Sequence, residues 1–205
     1  IEVYALLGAV EWGYEEDGAT LLAHLEKIVQ YNVQSSEKEK FDGVMLDIEP
    51  YISDSWKENP EEYMDRYISC MKKGYKFTQK NHLRTAICIP RHYDNQGLTS
   101  GLEELIKETC DEVAVMNYSC GNEIEAIRTE AALSEKYGKE LHCILEFQEV
   151  GKHGLTENKT YRNKGIDNAK ETWEKLQKEY KNINVTRDYH WSRPVREMLE
   201  EKNAD

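Results

Sequence analysis

The chain has no apolar run near the roughly 20 residues needed to cross a bilayer as a helix, so a membrane span is not expected. It has no excess of positive charge. Its 27 Lys and Arg face 39 Asp and Glu, a formal net charge of -12. Phosphate backbones and anionic lipid surfaces both require basic patches, so neither a nucleic acid nor a lipid surface is an expected partner. There is no CxxC spacing among the five cysteines Cys70, Cys88, Cys110, Cys120 and Cys143, so no zinc site or other metal is expected. Their odd number and apolar settings read as small core residues, which favours a reducing, cytoplasmic-type compartment. The sequons at Asn158 and Asn184 matter only if a eukaryote secretes the chain. There is also no linker, low-complexity stretch or second composition class, so residues 1–205 read as one domain. The chain starts at Ile1 rather than Met, on a strand-like segment too short for a signal peptide, and a preceding segment is expected.

What is present is an ordinary globular composition, 39% hydrophobic and 32% charged, with one repeating rhythm. Short β-rich runs at 2–10, 42–49, 85–90, 112–118, 141–148 and 184–191 alternate with helical patterns. The helices are expected over 19–31, 60–80, 101–109, 124–137, 166–180 and 194–202. Asn59-Pro60-Glu61-Glu62 supplies a cap, a first-turn proline and two acids at a helix start, and Gly138 reads as a helix stop. Tyr63, Tyr67, Met71 and Tyr75 lie at helical spacing and read as a buried face. Strands alternating with helices imply an α/β fold with a parallel sheet, either doubly wound or a barrel. Six βα units are visible. Two more of about 25–30 residues each would reach the typical length of about 250 for an eight-unit TIM-type barrel. The irregular stretch 150–165 follows a strand and is expected to be a loop over the active face.

The chemistry concentrates in Phe41-Asp42-Gly43-Val44-Met45-Leu46-Asp47-Ile48-Glu49-Pro50-Tyr51. Strand side chains alternate faces, so Val44, Leu46 and Ile48 suit burial under helices while Met45, Asp47 and Glu49 share the other face. Two acids at the C-terminal end of one strand are costly in a packed interior, and barrel enzymes keep their reacting groups at that end.

Asp42-Gly43-x-x-x-Asp47-x-Glu49 resembles the signature of family-18 glycoside hydrolases, Asp-Gly-x-Asp-x-Asp-x-Glu, which includes chitinases and endo-β-N-acetylglucosaminidases. Met45 stands where that signature has its middle Asp. Val115-Met116-Asn117-Tyr118 is similar to the family's Met-x-Tyr motif, with Ser119 where an Asp is usual, and His190-Trp191 falls where the family has an aromatic floor. The resemblance implies barrel strands three to eight and a retaining, substrate-assisted hydrolysis of N-acetylhexosamine-containing β-glycans. In it Glu49 is the acid/base, Asp47 orients the 2-acetamido group, Tyr118 hydrogen-bonds that group, and no cofactor is needed. It also implies an extracellular or cell-surface location, against the cysteine reading. Asp42, Tyr51, Met116, Asn117, Glu146, Gln148, His190, Trp191, Trp12 and Arg91 are the expected substrate-binding residues.

Three alternatives stay open, one of them a barrel enzyme of unrelated chemistry that happens to carry paired acids. In 141–148, Glu146 alternates onto the face opposite Leu141, Cys143, Leu145 and Phe147, so Glu49 and Glu146 could act as the acid/base and nucleophile of a two-carboxylate retaining glycosidase. Met45 and Ser119 fit a noncatalytic barrel that binds carbohydrate or protein. His92 is a further candidate base, and Tyr14, Tyr51 and Trp56 are aromatic candidates for sugar stacking.

Overall fold

The computed structural model describes residues 1–204; Asp205, the last residue of the expected domain, lies outside them. Six strands form, β1 (Tyr4–Leu7), β2 (Gly43–Leu46), β3 (Arg84–Pro90), β4 (Glu112–Met116), β5 (Glu140–Glu146) and β6 (Val185–His190). Between and after them lie helices α1 (Ala19–Gln34), α2 (Asp54–Glu58), α3 (Pro60–Lys80), α4 (Thr99–Thr109), α5 (Glu123–Ala126), α6 (Arg128–Tyr137), α7 (Ile166–Glu179) and α8 (Ser192–Ala204). The strands pair in chain order. The pairs β1–β2, β2–β3 and β5–β6 are parallel, as alternation with helices requires. The α/β class is therefore as expected. The TIM-type barrel is not established by these strands, because β1 and β6 each have a neighbour on one side only. The chain divides into two compact units, Ile1–Val113 and a second from Ala114 onward. Among the described residues no helix is long and apolar enough to cross a membrane.

In the first unit the alternation of β2 is realised. Val44, Leu46 and Ile48 are buried, while Met45, Asp47 and Glu49 are half-buried. The buried stripe of α3 runs through Met64, Tyr67, Ile68, Met71, Gly74 and Thr78. It is rotated slightly from the expected one. Tyr63 and Tyr75 sit at its margins, with Tyr63 edge-on to Tyr14 at 5.2 Å and Tyr75 Oη donating to Asp111 at 2.7 Å. Pro60 occupies the first turn of α3 with Glu61 and Glu62, where the helix dipole favours acids. Asn59 sits at the cap position but its side chain does not cap; it donates to Glu62 at 2.6 Å instead. The first turn of α1 is served by Glu15, which accepts from Thr20 N at 2.9 Å and Thr20 Oγ1 at 2.8 Å. Leu21 and Leu25 of α1 are fully buried, each worth about 1.5–3 kcal/mol relative to exposure.

In the second unit Leu141, Cys143, Leu145 and Phe147 are fully buried along one face of β5 and the residue after it. Phe147 and Tyr189 flank Trp173, with ring centroids 6.3 and 4.7 Å from it, and Trp173 Nε1 donates to the Cys143 carbonyl at 2.9 Å. The helix expected over 124–137 is broken at Ile127, whose φ of -125° and ψ of 19° leave the helical region, and so divides into α5 and α6. Gly138 ends α6 in the left-handed conformation, φ 65°, as expected. Cysteines 70, 88, 110 and 143 are buried, and none of the five is in a disulfide. Burial pushes the thiols of Cys70 and Cys143 up to about 12, which leaves them inert packing groups.

Candidate active site

The strand β2 ends in a way that gathers polar groups. Pairing with β1 continues one residue past the strand, as Asp47 N donates to the Leu7 carbonyl at 2.8 Å. Gly8 makes this possible, because a Cβ there would lie 1.9 Å from the Asp47 carbonyl oxygen. Pro50 then opens a 3-10 turn, Pro50–Ile52, that takes the chain out of the strand immediately after Glu49. The turn swings Tyr51 back so that its hydroxyl donates to Glu49 Oε1. Burial first, and then the Glu49 carboxylate, push the Tyr51 phenol well above its ordinary value, so it stays a proton donor in this pair.

An aromatic shell surrounds the pair. Tyr51 meets His92 edge-on at 5.2 Å and Tyr93 at 5.9 Å, and Trp56 packs on Tyr93 at 5.6 Å. Tyr67, from α3, and Tyr93 are both 0% exposed, and neither hydroxyl has a hydrogen-bond partner. Burial raises both phenols, with the Glu49 charge adding to the effect on Tyr93 and the Tyr93 and Asp47 groups adding to that on Tyr67. A buried hydroxyl left without a partner costs about 1–3 kcal/mol. Both phenols lie within the field of the two carboxylates, Tyr93 in that of Glu49 and Tyr67 in that of Asp47. His92 is held below its ordinary value by burial and by the neighbouring Arg91 guanidinium, and is neutral at pH 7. Arg91, half-buried directly after β3, makes no ion pair among the described residues. Trp12 lies in the 3-10 turn Val10–Tyr14 against His24, ring centroids 4.5 Å apart. Asp42 is at the other end of β2. It is exposed, accepts the Val3 N–H at 2.7 Å, and by strand rise is roughly 16 Å from Asp47.

In the second unit, Met116 and Tyr118 are half-buried and alternate with Asn117, which is 1% exposed. Asn117 is tied inward: its Nδ2 donates to the Glu123 carbonyl at 2.9 Å and its N to the Ile144 carbonyl at 3.0 Å. The Tyr118 ring lies 6.0 Å from that of His190. Glu146 is 2% exposed. Its Oε1 accepts Phe147 N at 2.8 Å and Gln148 N at 2.7 Å, while Oε2 accepts Gln148 Nε2 at 3.2 Å and meets His190 Nδ1 at 2.8 Å. A carboxylate offers about four lone-pair sites, and here each has a partner. Burial alone would raise this carboxyl; the His190 imidazole and the Gln148 amide outweigh it and hold it below the ordinary glutamate value. Further down the two strands, His142 Nδ1 meets Asp188 Oδ2 diagonally at 3.0 Å. Trp191 is 45% exposed. It lines a cleft of about 110 Å³ with Gln148 and Arg162, below the size of a usual ligand pocket. A larger cavity of about 690 Å³ is lined by Glu123, Tyr161, Lys164 and Thr172 and includes none of the expected site residues.

The first unit thus brings Asp47, Glu49, Tyr51 and Arg91 to neighbouring strand ends and leaves Asp42 at the far end. The second unit joins Glu146, Gln148 and His190 through hydrogen bonds and sets Tyr118 beside His190. Sequence reasoning passed over the hydroxyls of Tyr67 and Tyr93. The available signal was the phenol of Tyr67 in the middle of a helix face read as buried. Among the described residues no group of three or more His, Cys, Asp and Glu could hold a metal ion.

No protein-family model matches the chain, and no curated protein matches it. Among solved structures it is similar to the Ostrinia furnacalis Group II chitinase catalytic domain 2, with 13% identity and a TM-score of 0.43. The match covers 78% of this chain and 50% of that one, so the chain spans about half the length of that structure.

Proposed function

We propose that the chain is a glycoside hydrolase acting on N-acetylhexosamine-containing β-glycans, with Glu49 as acid/base and Asp47 orienting the substrate. The observation that carries this reading is the pair itself. Asp47 and Glu49 lie one and three residues past the end of β2, both half-buried, with Tyr51 donating to Glu49 and His92 and Tyr93 packed on Tyr51. In the reaction Glu49 delivers its proton to the glycosidic oxygen as the C–O bond breaks. The substrate's acetamido oxygen closes on the anomeric carbon to form an oxazolinium, with Asp47 taking up the charge on its nitrogen. Water then attacks with Glu49 as base, which restores the proton and retains the configuration. Tyr118 enters from its sequence motif as the partner of the acetamido group. The same reading takes the parallel sheet as part of a TIM-type barrel.

The two-carboxylate scheme is less well supported, because a nucleophile needs an open lone pair and the Glu146 oxygens are occupied by four partners. A noncatalytic carbohydrate- or protein-binding role is favoured by one residue, Met45, which leaves Asp47 without a second acid before it on that face.

Release of a chromophore from β-N-acetylglucosaminide and β-glucoside oligosaccharides tests the proposal. Turnover confined to the acetamido sugar and lost in Glu49→Gln supports it. Turnover of the plain glucoside that disappears in Glu146→Gln replaces it with the two-carboxylate scheme. Glycan binding unchanged in Glu49→Gln, with no product from either protein, replaces it with the binding role.

A further inference from the structure

The turn after β2 holds Tyr51 from several sides. Its hydroxyl donates to Glu49 Oε1. Its ring meets His92 edge-on at 5.2 Å and Tyr93 edge-on at 5.9 Å. The backbone between Glu49 and Tyr51 is pinned as well. Pro50 locks its own φ, and Tyr14 Oη donates to the Pro50 carbonyl at 3.1 Å. The Glu49 and Tyr51 side chains therefore have little freedom to part. A tyrosine suits sugar stacking by residue type, but this one is half-buried and its ring is already packed on two neighbours.

The contact makes the two oxygens of Glu49 inequivalent. A neutral carboxyl has one oxygen that bears the proton and one that only accepts. With Oε1 accepting from Tyr51, the proton belongs on Oε2. Oε1 stays an acceptor in both protonation states, and Oε2 alone gives and takes the proton. Tyr51 does not compete for it, because burial and the Glu49 charge hold its phenol well above the ordinary value.

We infer, resting on the glycosidase reading, that Tyr51 is the positioning residue of the acid/base: its hydroxyl holds Glu49 Oε1 so that Oε2 presents the proton to the leaving oxygen. In the first step the Oε2–H bond breaks as the proton bonds to the glycosidic oxygen, which keeps the electron pair of the cleaved C–O bond. The acetamido oxygen fills the anomeric carbon, and Glu49 is left a carboxylate with Tyr51 still donating to Oε1.

The test compares leaving groups on β-linked N-acetylglucosamine substrates. A sugar alkoxide needs a proton to depart, whereas a dinitrophenolate does not. The quantity read is kcat/KM, which reports the bond-breaking step. Tyr51→Phe keeps the ring against His92 and Tyr93 and removes only the donor. It is expected to lower kcat/KM on the oligosaccharide by about tenfold or more, the usual size of a charge-assisted hydrogen bond, and to leave the dinitrophenyl substrate nearly unaffected. Added to Glu49→Gln, it should cost nothing further on the oligosaccharide. Tyr14→Phe loosens the turn and spares the Tyr51 hydroxyl, and should show the same dependence on leaving group at smaller size. A loss in Tyr51→Phe that is equal for all leaving groups would make Tyr51 a sugar-binding surface, and no loss on any would make it idle; either overturns the inference and leaves the glycosidase reading standing. No hydrolysis of any acetamido substrate by the parent protein would refute that reading and this inference with it.

Discussion

Glu146 is the last residue of β5 and Glu49 follows β2 by three residues, and their surroundings differ in kind. Glu146 closes β5 with two backbone amides, a glutamine amide and an imidazole on its oxygens. Glu49, three residues past the end of β2, accepts from the Tyr51 hydroxyl, with the unsatisfied phenols of Tyr67 and Tyr93 nearby. A carboxylate whose lone pairs are all engaged holds its own backbone turn in place. One left among unmet donors has capacity for something from outside. The same side chain is fully hydrogen-bonded in one case and has a single hydroxyl donor in the other.

The largest expected effect that could break this contrast is on turnover. Glu49→Gln is expected to lower kcat by about 10²–10⁴-fold, the usual contribution of a general acid, with Glu146→Gln losing far less in the same assay. Stability should run the other way. Glu146→Ala strands two amide N–H groups and an imidazole and is expected to cost about 2–3 kcal/mol in denaturant unfolding, whereas Glu49→Ala costs about 1 kcal/mol or less. A third measurement follows acid unfolding. The folded-state value of Glu146 is depressed, so its contribution to stability is complete above the ordinary glutamate range and is lost as pH falls through the lower folded value. Glu146→Gln should flatten that loss; an unaltered acid limb would show that Glu146 is not the anchored group. The smallest effect sharpens the comparison. Tyr93→Phe removes a hydroxyl that bonds nothing, so thermal unfolding should show no loss of stability and a gain of up to about 1 kcal/mol. A clear loss would mean the hydroxyl has a bound partner.

Much of the frame was legible in the residue order. The alternation through Val44, Leu46 and Ile48 placed Asp47 and Glu49 together on the opposite face, and Pro60 and Gly138 marked helix ends, because these signals are local. The 3-10 turns after β1 and β2 were not, since five or fewer residues carry too little periodicity to distinguish them from loop. The break at Ile127 was hidden inside a continuous helical pattern. The partners of Glu146 and Glu49 differ for tertiary reasons. His190 reaches Glu146 only because β5 and β6 pair in a register that puts them opposite each other.

Gly8 has no side chain to offer any chemistry, yet its backbone sets where Asp47 stands. With 1.9 Å between a hypothetical methyl at residue 8 and the Asp47 carbonyl oxygen, even alanine cannot be accommodated without prising apart the last rung between β1 and β2. A single added carbon on one strand therefore acts as a lever on the next, displacing Asp47 and Glu49 together while every polar side chain of the site remains chemically intact.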